Sequence, residues 1–328
     1  MKQNIWIRRI ILLSFATVLA LAGCTAPGSP KAKGPITVRV GYFPNITHSQ
    51  ALVGLARGDF REALGANVTI EATAFNAGPS VIEALFANQI DISYIGPNPA
   101  INGYIKSNGE ALRIVAGATS GGASFVVRPG ANITKPEDLA GKKLASPQLG
   151  NTQDVALRAY LIEHGLQVTE KGGTVQVIPT DNPQILDLFR QGQIDGAWVP
   201  EPWAARLMVD GGGKLFLDER DLWPNGEFVT AHIIVSTKFL KEHPDLVKAF
   251  LRAHVEVTQW EQKNPDQAKQ LVNGEIKRLT GKALANEVID GAWSRLRITY
   301  DPISASLVKS AQGAFEAGFI KEIGRAHV

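Results

Sequence analysis

Four short stretches of this 328-residue chain carry residue types suited to holding an anion without a basic side chain. They are Pro44-Asn45-Ile46-Thr47-His48, Ile95-Gly96-Pro97-Asn98-Pro99, Gly150-Asn151-Thr152-Gln153-Asp154 and Val199-Pro200-Glu201-Pro202-Trp203. Each follows a strand-like run and precedes a helix-like pattern. The first turn of a helix has N–H groups with no partner inside the helix. They carry partial positive charge, so the place suits an anion or a polar acceptor. In open α/β sheets, ligands gather beyond the carboxyl ends of the strands, where such turns lie. Taken singly, each turn reads first as a helix cap, since Pro, Asn and Thr are favoured there. Taken together, they point to one cleft fed from several strands.

Other stretches extend this set and leave alternatives open. Ser120-Gly121-Gly122-Ala123-Ser124 either lets backbone approach a ligand closely or makes an ordinary tight turn. Thr230-Ala231-His232 lies inside a strong strand; a side chain there faces the cleft, or His232 is a satisfied core histidine. His48 carries the same two readings. Glu201 either favours the start of its helix or pairs with an amine on a ligand. Trp198 and Trp203 are core packing or an apolar wall.

Several chemistries are excluded or unsupported. There is no Gly-x-Ser-x-Gly, and no Gly-x-Gly-x-x-Gly opens the first helix. Gly211-Gly212-Gly213 is a turn rather than a phosphate loop, because no helix with Lys-Ser/Thr follows it. His48, His232, Glu201 and Asp154 lack the spacing of a zinc site. No catalytic residue, metal or cofactor is expected.

The elements that must position these turns alternate. Strand patterns at 36–42, 67–75, 90–95 and 113–119 interleave with helical patterns at 47–57, 78–87 and 97–106. After 124–128 the grammar repeats: a helical turn at 135–139, strands at 143–145, 174–178, 196–199 and 214–217, and helices from 150 to about 164, at 183–190 and at 200–209. Residues 228–236 form a strong strand that returns the chain to its first part. From 238 onward the reading is helical (244–262, 265–279, 283–295, 302–317), with no strand, and these helices pack on the first part. The class is therefore α/β with largely parallel sheets, and the length suffices for two lobes with separate cores.

The two ends read differently. Lys2, Arg8 and Arg9 precede a short apolar stretch, 10–21, as in an export signal. That stretch is too short to span a membrane. Leu21-Ala22-Gly23-Cys24 resembles a bacterial lipobox, which implies acylation of Cys24 and a membrane anchor without a span; the alternative is a chance cysteine after a plain signal. Residues 1–23 are thus expected to be signal and 24–34 a flexible tether. Cys24 is the one cysteine, so neither an intramolecular disulfide nor thiol catalysis is available. Three of the 34 basic residues and none of the 31 acidic ones precede Cys24, which leaves 31 of each in the mature chain. No basic patch remains to suggest nucleic acid. Residues 322–328 back-translate into a common sequencing-library adapter, so the natural sequence is expected to diverge there.

Together these stretches resemble the solute-binding lipoproteins of bacterial ABC importers, in the nitrate/sulfonate/taurine group. The resemblance runs from about 36 to 321. It rests on Gly41-Tyr42-Phe43-Pro44-Asn45-Ile46-Thr47-His48, Asp91-Ile92-Ser93-Tyr94-Ile95-Gly96-Pro97, Ser146-Pro147-Gln148-Leu149-Gly150-Asn151-Thr152 and Asp195-Gly196-Ala197-Trp198-Val199-Pro200-Glu201-Pro202. It implies a type II periplasmic-binding-protein fold, two α/β lobes joined by two crossover strands near 124–128 and 228–236. The lobes would be 35–126 with 228–321, and 127–227. It further implies a ligand site made of Asn45, Thr47, His48, Gly96, Pro97, Asn98, Gly121, Gly122, Ser124, Asn151, Thr152, Glu201, Thr230 and His232. The implied protein is an exported monomer, anchored facing the periplasm or cell exterior. It serves sulfur metabolism by passing an aliphatic sulfonate or taurine to a permease with ATPase subunits. Alternatives within the group are nitrate, bicarbonate, a phosphonate or phosphite, or a pyrimidine precursor. An enzyme reusing the fold, or a sensory lobe, is the alternative from another class.

Overall fold

A computed structural model describes residues 34–321 and residue 323. The expectations for the signal, for Cys24 and the tether as far as Lys33, and for the tail at 322 and 324–328 lie outside the described residues. Among the described residues eleven strands form two sheets. In chain order they are β1 (Ile36–Tyr42), β2 (Val68–Ala74), β3 (Ile92–Ile95), β4 (Leu112–Gly121), β5 (Ala123–Val127), β6 (Lys143–Pro147), β7 (Gln176–Thr180), β8 (Gly196–Pro200), β9 (Lys214–Asp218), β10 (Val229–Ser236) and β11 (Leu296–Ile298).

The first sheet has the order β11-β4-β10-β3-β1-β2, the second β7-β6-β8-β5-β9. β1 pairs in parallel with β2 and β3, and β6 with β7 and β8. β10 and β5 are inserted antiparallel between their neighbours. The chain passes between sheets twice: through Gly122, and through residues 219–228 on the way back.

Side-chain alternation decides which face each residue covers. In β10, Ala231, Ile233 and Val235 join the core beneath helices Ser49–Arg57 and Pro244–Lys263, where Phe60 stacks on Phe250 at 4.3 Å. Ile234, between them, faces the core under helices Gly78–Phe86 and Pro97–Lys106. In the second sheet, Phe125 and Val127 pack with Leu157 and Tyr160 of helix Thr152–Glu163. Val126 packs on the other face with Phe189 and Trp203, from helices Asn182–Arg190 and Trp203–Val209. Burying each such large apolar side chain contributes roughly 1.5–3 kcal/mol.

The structure differs from the sequence expectations at several points. A 3-10 turn, Ile46–His48, precedes the first α-helix, which starts at Ser49 rather than Thr47. β8 continues to Pro200, and its helix starts only at Trp203. β11 lies in the stretch read as wholly helical; three residues are too few to show a period, and it forms by pairing with β4. Residues 123–126, placed by the sequence reading in the first lobe, belong to β5 of the second sheet. Gly121 and Gly122 have φ of 72° and 79°, a conformation open to glycine, and so the chain turns out of the first sheet at that point. β10, read as a crossover, lies wholly in the first sheet. The short helix Asp59–Leu64 has no counterpart in the sequence reading.

Candidate functional site

The four strand-to-helix turns come from both sheets. β1 leads to Asn45 and the Ile46–His48 turn, and β3 to Gly96, with Pro97 first in its helix. β6 leads through Gln148–Asn151 to Thr152, and β8 to Glu201 and Trp203. Neither Asn45 nor Asn151 spends its side chain on a helix-capping hydrogen bond. The capping alternative therefore does not account for these asparagines.

A string of contacts joins the turns where the two sheets meet. A Cβ added to Gly96 would collide with the hydroxyl of Thr152, from the other sheet, and would lie 3.6 Å from the carbonyl of Thr230. The Thr230 hydroxyl donates to the carbonyl of Gly121. The next carbonyl, of Gly122, accepts from the Glu201 N–H at 2.8 Å. A Cβ on Gly122 would stand 3.1 Å from Thr47 Cγ2, and the Thr47 carbonyl accepts from Thr119 Oγ1 at 2.7 Å. Asn45 Oδ1 accepts from Trp203 Nε1 at 3.0 Å. Asn151 Oδ1 would be 3.1 Å from a Cβ on Gly78, at the start of its helix. Asn45, Thr47, Gly96, Gly121, Gly122, Thr152, Glu201 and Thr230 thus share one seam, with Asn151 beside Thr152.

The seam is buried and incompletely paired. Ser124 Oγ and Thr152 Oγ1 are buried and make no hydrogen bond among the described residues. Such a hydroxyl costs about 1–3 kcal/mol relative to a bonded one. Both are able to donate to an acceptor oxygen. Asp154 braces the loop before Thr152: its carboxylate accepts from Ser146 Oγ at 2.7 Å, from the Gly150 N–H at 2.9 Å and from Arg158 Nε at 3.1 Å.

The remaining candidates have structural partners. His48 stacks on Phe43 at 4.4 Å, and its Nδ1 accepts the Phe43 N–H at 3.2 Å. Burial pushes its pKa down to about 3, so the ring is neutral. His232 Nε2 bonds the Pro302 carbonyl at 3.1 Å, and its buried Nδ1 has no partner among the described residues. Burial holds this ring near pKa 4, partly offset by the Pro302 bond. Asn98 Nδ2 donates to the Ser310 carbonyl at 3.0 Å, tying its helix to helix Ser304–Glu316.

Glu201 is fully buried, and each of its oxygens already has a protein donor. Oε1 accepts from Arg295 Nε at 2.6 Å and Oε2 from the Ala205 N–H at 3.0 Å. The second bond satisfies the first turn of helix Trp203–Val209, in line with the helix-start reading. Burial pushes the Glu201 carboxyl up, and Arg295 pulls it back. Arg295 was not anticipated. It follows helix Asn286–Ser294, 94 residues from Glu201, and no local spacing announces that pairing.

Among the described residues, no group of three or more His, Cys, Asp or Glu is placed to hold a metal ion. None of the described helices is long and apolar enough to cross a membrane. What the seam offers is hydroxyl and amide hydrogen-bonding groups in a buried setting, which suits the oxygens of a small anion.

Comparison with known proteins bears on the family and the fold. A model of the NMT1-like family matches residues 31–274. The taurine-binding periplasmic protein of Escherichia coli (strain K12) is 29% identical over 231 residues, covering 70% of this chain and 68% of that protein. A putative aliphatic sulfonates-binding protein of Bacillus subtilis (strain 168) is 26% identical over 282 residues, covering 84% and 80%. The solved structure of the alkanesulfonate-binding protein SsuA from Xanthomonas axonopodis pv. citri, bound to MOPS, superposes with a TM-score of 0.71 at 18% identity, covering 87% of this chain and 94% of that one. The two-sheet architecture is therefore that of a periplasmic binding protein. With the family match running from before β1 into the helices beyond β10, the chain belongs to the NMT1-like family.

Proposed function

We propose that this protein is the extracytoplasmic solute-binding component of an ABC importer, and that it takes a small organic anion, an aliphatic sulfonate or taurine, at the seam between two lobes. It is a binding protein rather than an enzyme, in keeping with the binding proteins named above. The lobes are built on the two sheets, 35–122 with 228–321 and 123–227. Solute enters the open cleft, the lobes hinge shut and water is displaced. The closed form then docks on a permease whose ATPase subunits power import. Acylation at Cys24 tethers the protein, as a monomer, to the outer face of a membrane.

The observation that carries the reading is that two hydroxyls of the second lobe, on Thr152 over Gly96 and on Ser124 two residues past the Gly122 turn, are buried without a partner among the described residues. An anionic head held there accepts from both hydroxyls and from the N–H groups of the adjoining turns. Asn45, Thr47, Gly96, Asn151 and Thr230 complete its surroundings, while His48 serves packing. The reading is tested by thermal unfolding of the purified protein with taurine, ethanesulfonate or nitrate. A solute at 100 times its Kd stabilises the folded state by about 2.7 kcal/mol, and the melting temperature rises accordingly. No shift with any sulfonate overturns the sulfonate assignment.

A further inference from the structure

Among the side-chain bonds that join the two lobes, two lie between the strand-to-helix turns of the seam and the elements facing them. Arg295 Nε donates to Glu201 Oε1, and Trp203 Nε1 donates to Asn45 Oδ1. Glu201 and Trp203 sit on the turn after β8, in the second sheet. Asn45 follows β1, and Arg295 precedes β11, both in the first. The Glu201 side chain is 0% exposed and that of Arg295 16%; Asn45 and Trp203 are likewise buried. Helix Asn286–Ser294, which ends at Arg295, packs against helix Trp203–Val209, so side-chain bonds and helix contact coincide.

We propose that Arg295 and Trp203 are positioning residues for solute capture, acting through Glu201 and Asn45 to hold the two sheets in the closed arrangement. This rests on the solute-binding reading above. A buried carboxylate and guanidinium are favourable together and costly apart. Hinge opening separates Glu201 from Arg295 and the Trp203 N–H from its acceptor, and returns all four groups to water. Both bonds are made in the closed state alone, so what they contribute beyond hydration acts on that state. A solute that requires that state binds more tightly in proportion to its population. Arg295 and Trp203 contribute residence time, not recognition, because Arg295 Nε and Trp203 Nε1 are given to protein acceptors rather than to solute.

The test uses the full chain and the variants Trp203→Phe, which keeps an aromatic ring but loses the N–H, and Arg295→Met. Small-angle X-ray scattering without solute reads the closed population. Stopped-flow binding of taurine and ethanesulfonate reads the rates. We expect a larger radius of gyration in both variants, and a dissociation rate raised about tenfold with the association rate within about twofold of wild type. The double variant Glu201→Gln/Arg295→Met should cost less than the sum of its single changes. A merely structural role lowers the melting temperature and leaves radius and dissociation rate unmoved; that result overturns the proposal. If Arg295→Met does not fold, Trp203→Phe and Asn45→Ala decide. The scattering needs no solute, so a protein that binds no sulfonate refutes the solute reading while the radii still judge the positioning role.

Discussion

Thr152, the first residue of its helix in the second sheet, lies with its hydroxyl over Gly96, at the end of β3 in the first. No Cβ fits between them. Gly96 has ordinary extended angles, φ −70° and ψ 157°, so its lack of a side chain answers a need for space rather than for backbone freedom. That distinction makes a clean prediction. Gly96→Ala should leave each sheet and its helices intact, with a change in the stability of the solute-free protein of about 1 kcal/mol or less. Its methyl holds Thr152 away, so taurine affinity, measured by titration calorimetry, should fall at least about tenfold. Unchanged affinity would mean that the two residues separate when solute binds.

Acid and alkaline stability should be governed by different buried groups. Glu261, buried in helix Pro244–Lys263, accepts from Ser49 Oγ at 2.7 Å through one oxygen and has no partner on the other. Burial lifts its pKa to about 8 from 4.5, against the pull of the Ser49 bond and of Arg57. A raised folded pKa contributes stability that is complete below pH 4.5 and is lost as pH rises through about 8. His48, His232 and His254 run the other way: burial holds them near 3, 4 and 4. Their neutral forms contribute stability that is full above the ordinary 6.5 and declines as pH falls towards those values. Glu261→Gln keeps the Ser49 contact without a charge. Its stability relative to wild type, from denaturant unfolding across pH 5 to 9, should rise by a few kcal/mol, on the order expected for such a shift. Parallel profiles for the two proteins would show that Glu261 is charged in the folded state.

Legibility of these features from sequence followed their range along the chain. β1 was readable from alternating β-branched residues, and its bounds as read, 36–42, match the structure. The turns after β1, β3, β6 and β8 were readable because Pro, Gly and Asn punctuate strand-to-helix junctions by their own backbone chemistry. β11 was not, because a three-residue edge strand exists only through its partner. The Glu201–Arg295 pair spans 94 positions and the Asn45–Trp203 pair 158, and no periodicity links residues so far apart. His48 stayed ambiguous for another reason. Its partner Phe43 is five residues away, but the 3-10 turn, rather than an α-helical turn, aims the ring back onto it.

The hydroxyls of Ser124 and Thr152 separate a binding role from a structural one. Both are buried without a partner among the described residues, so in the solute-free protein each is a cost with no return. Ser124→Ala and Thr152→Val remove the hydroxyl and nearly keep the shape. If the groups exist to meet a solute, each change should leave the empty protein as stable as wild type or more so, by about 1 kcal/mol. The same change should weaken taurine binding by about tenfold or more, because the solute's oxygen is then buried without its donor. Gain in one measurement and loss in the other is the signature of a group retained for binding at the expense of folding. Two outcomes oppose this. A destabilised empty protein would show that the hydroxyls bond within the fold, and unaltered affinity with raised stability would place the anion elsewhere on the seam. Melting temperatures and calorimetric titrations on the same two variants decide between them.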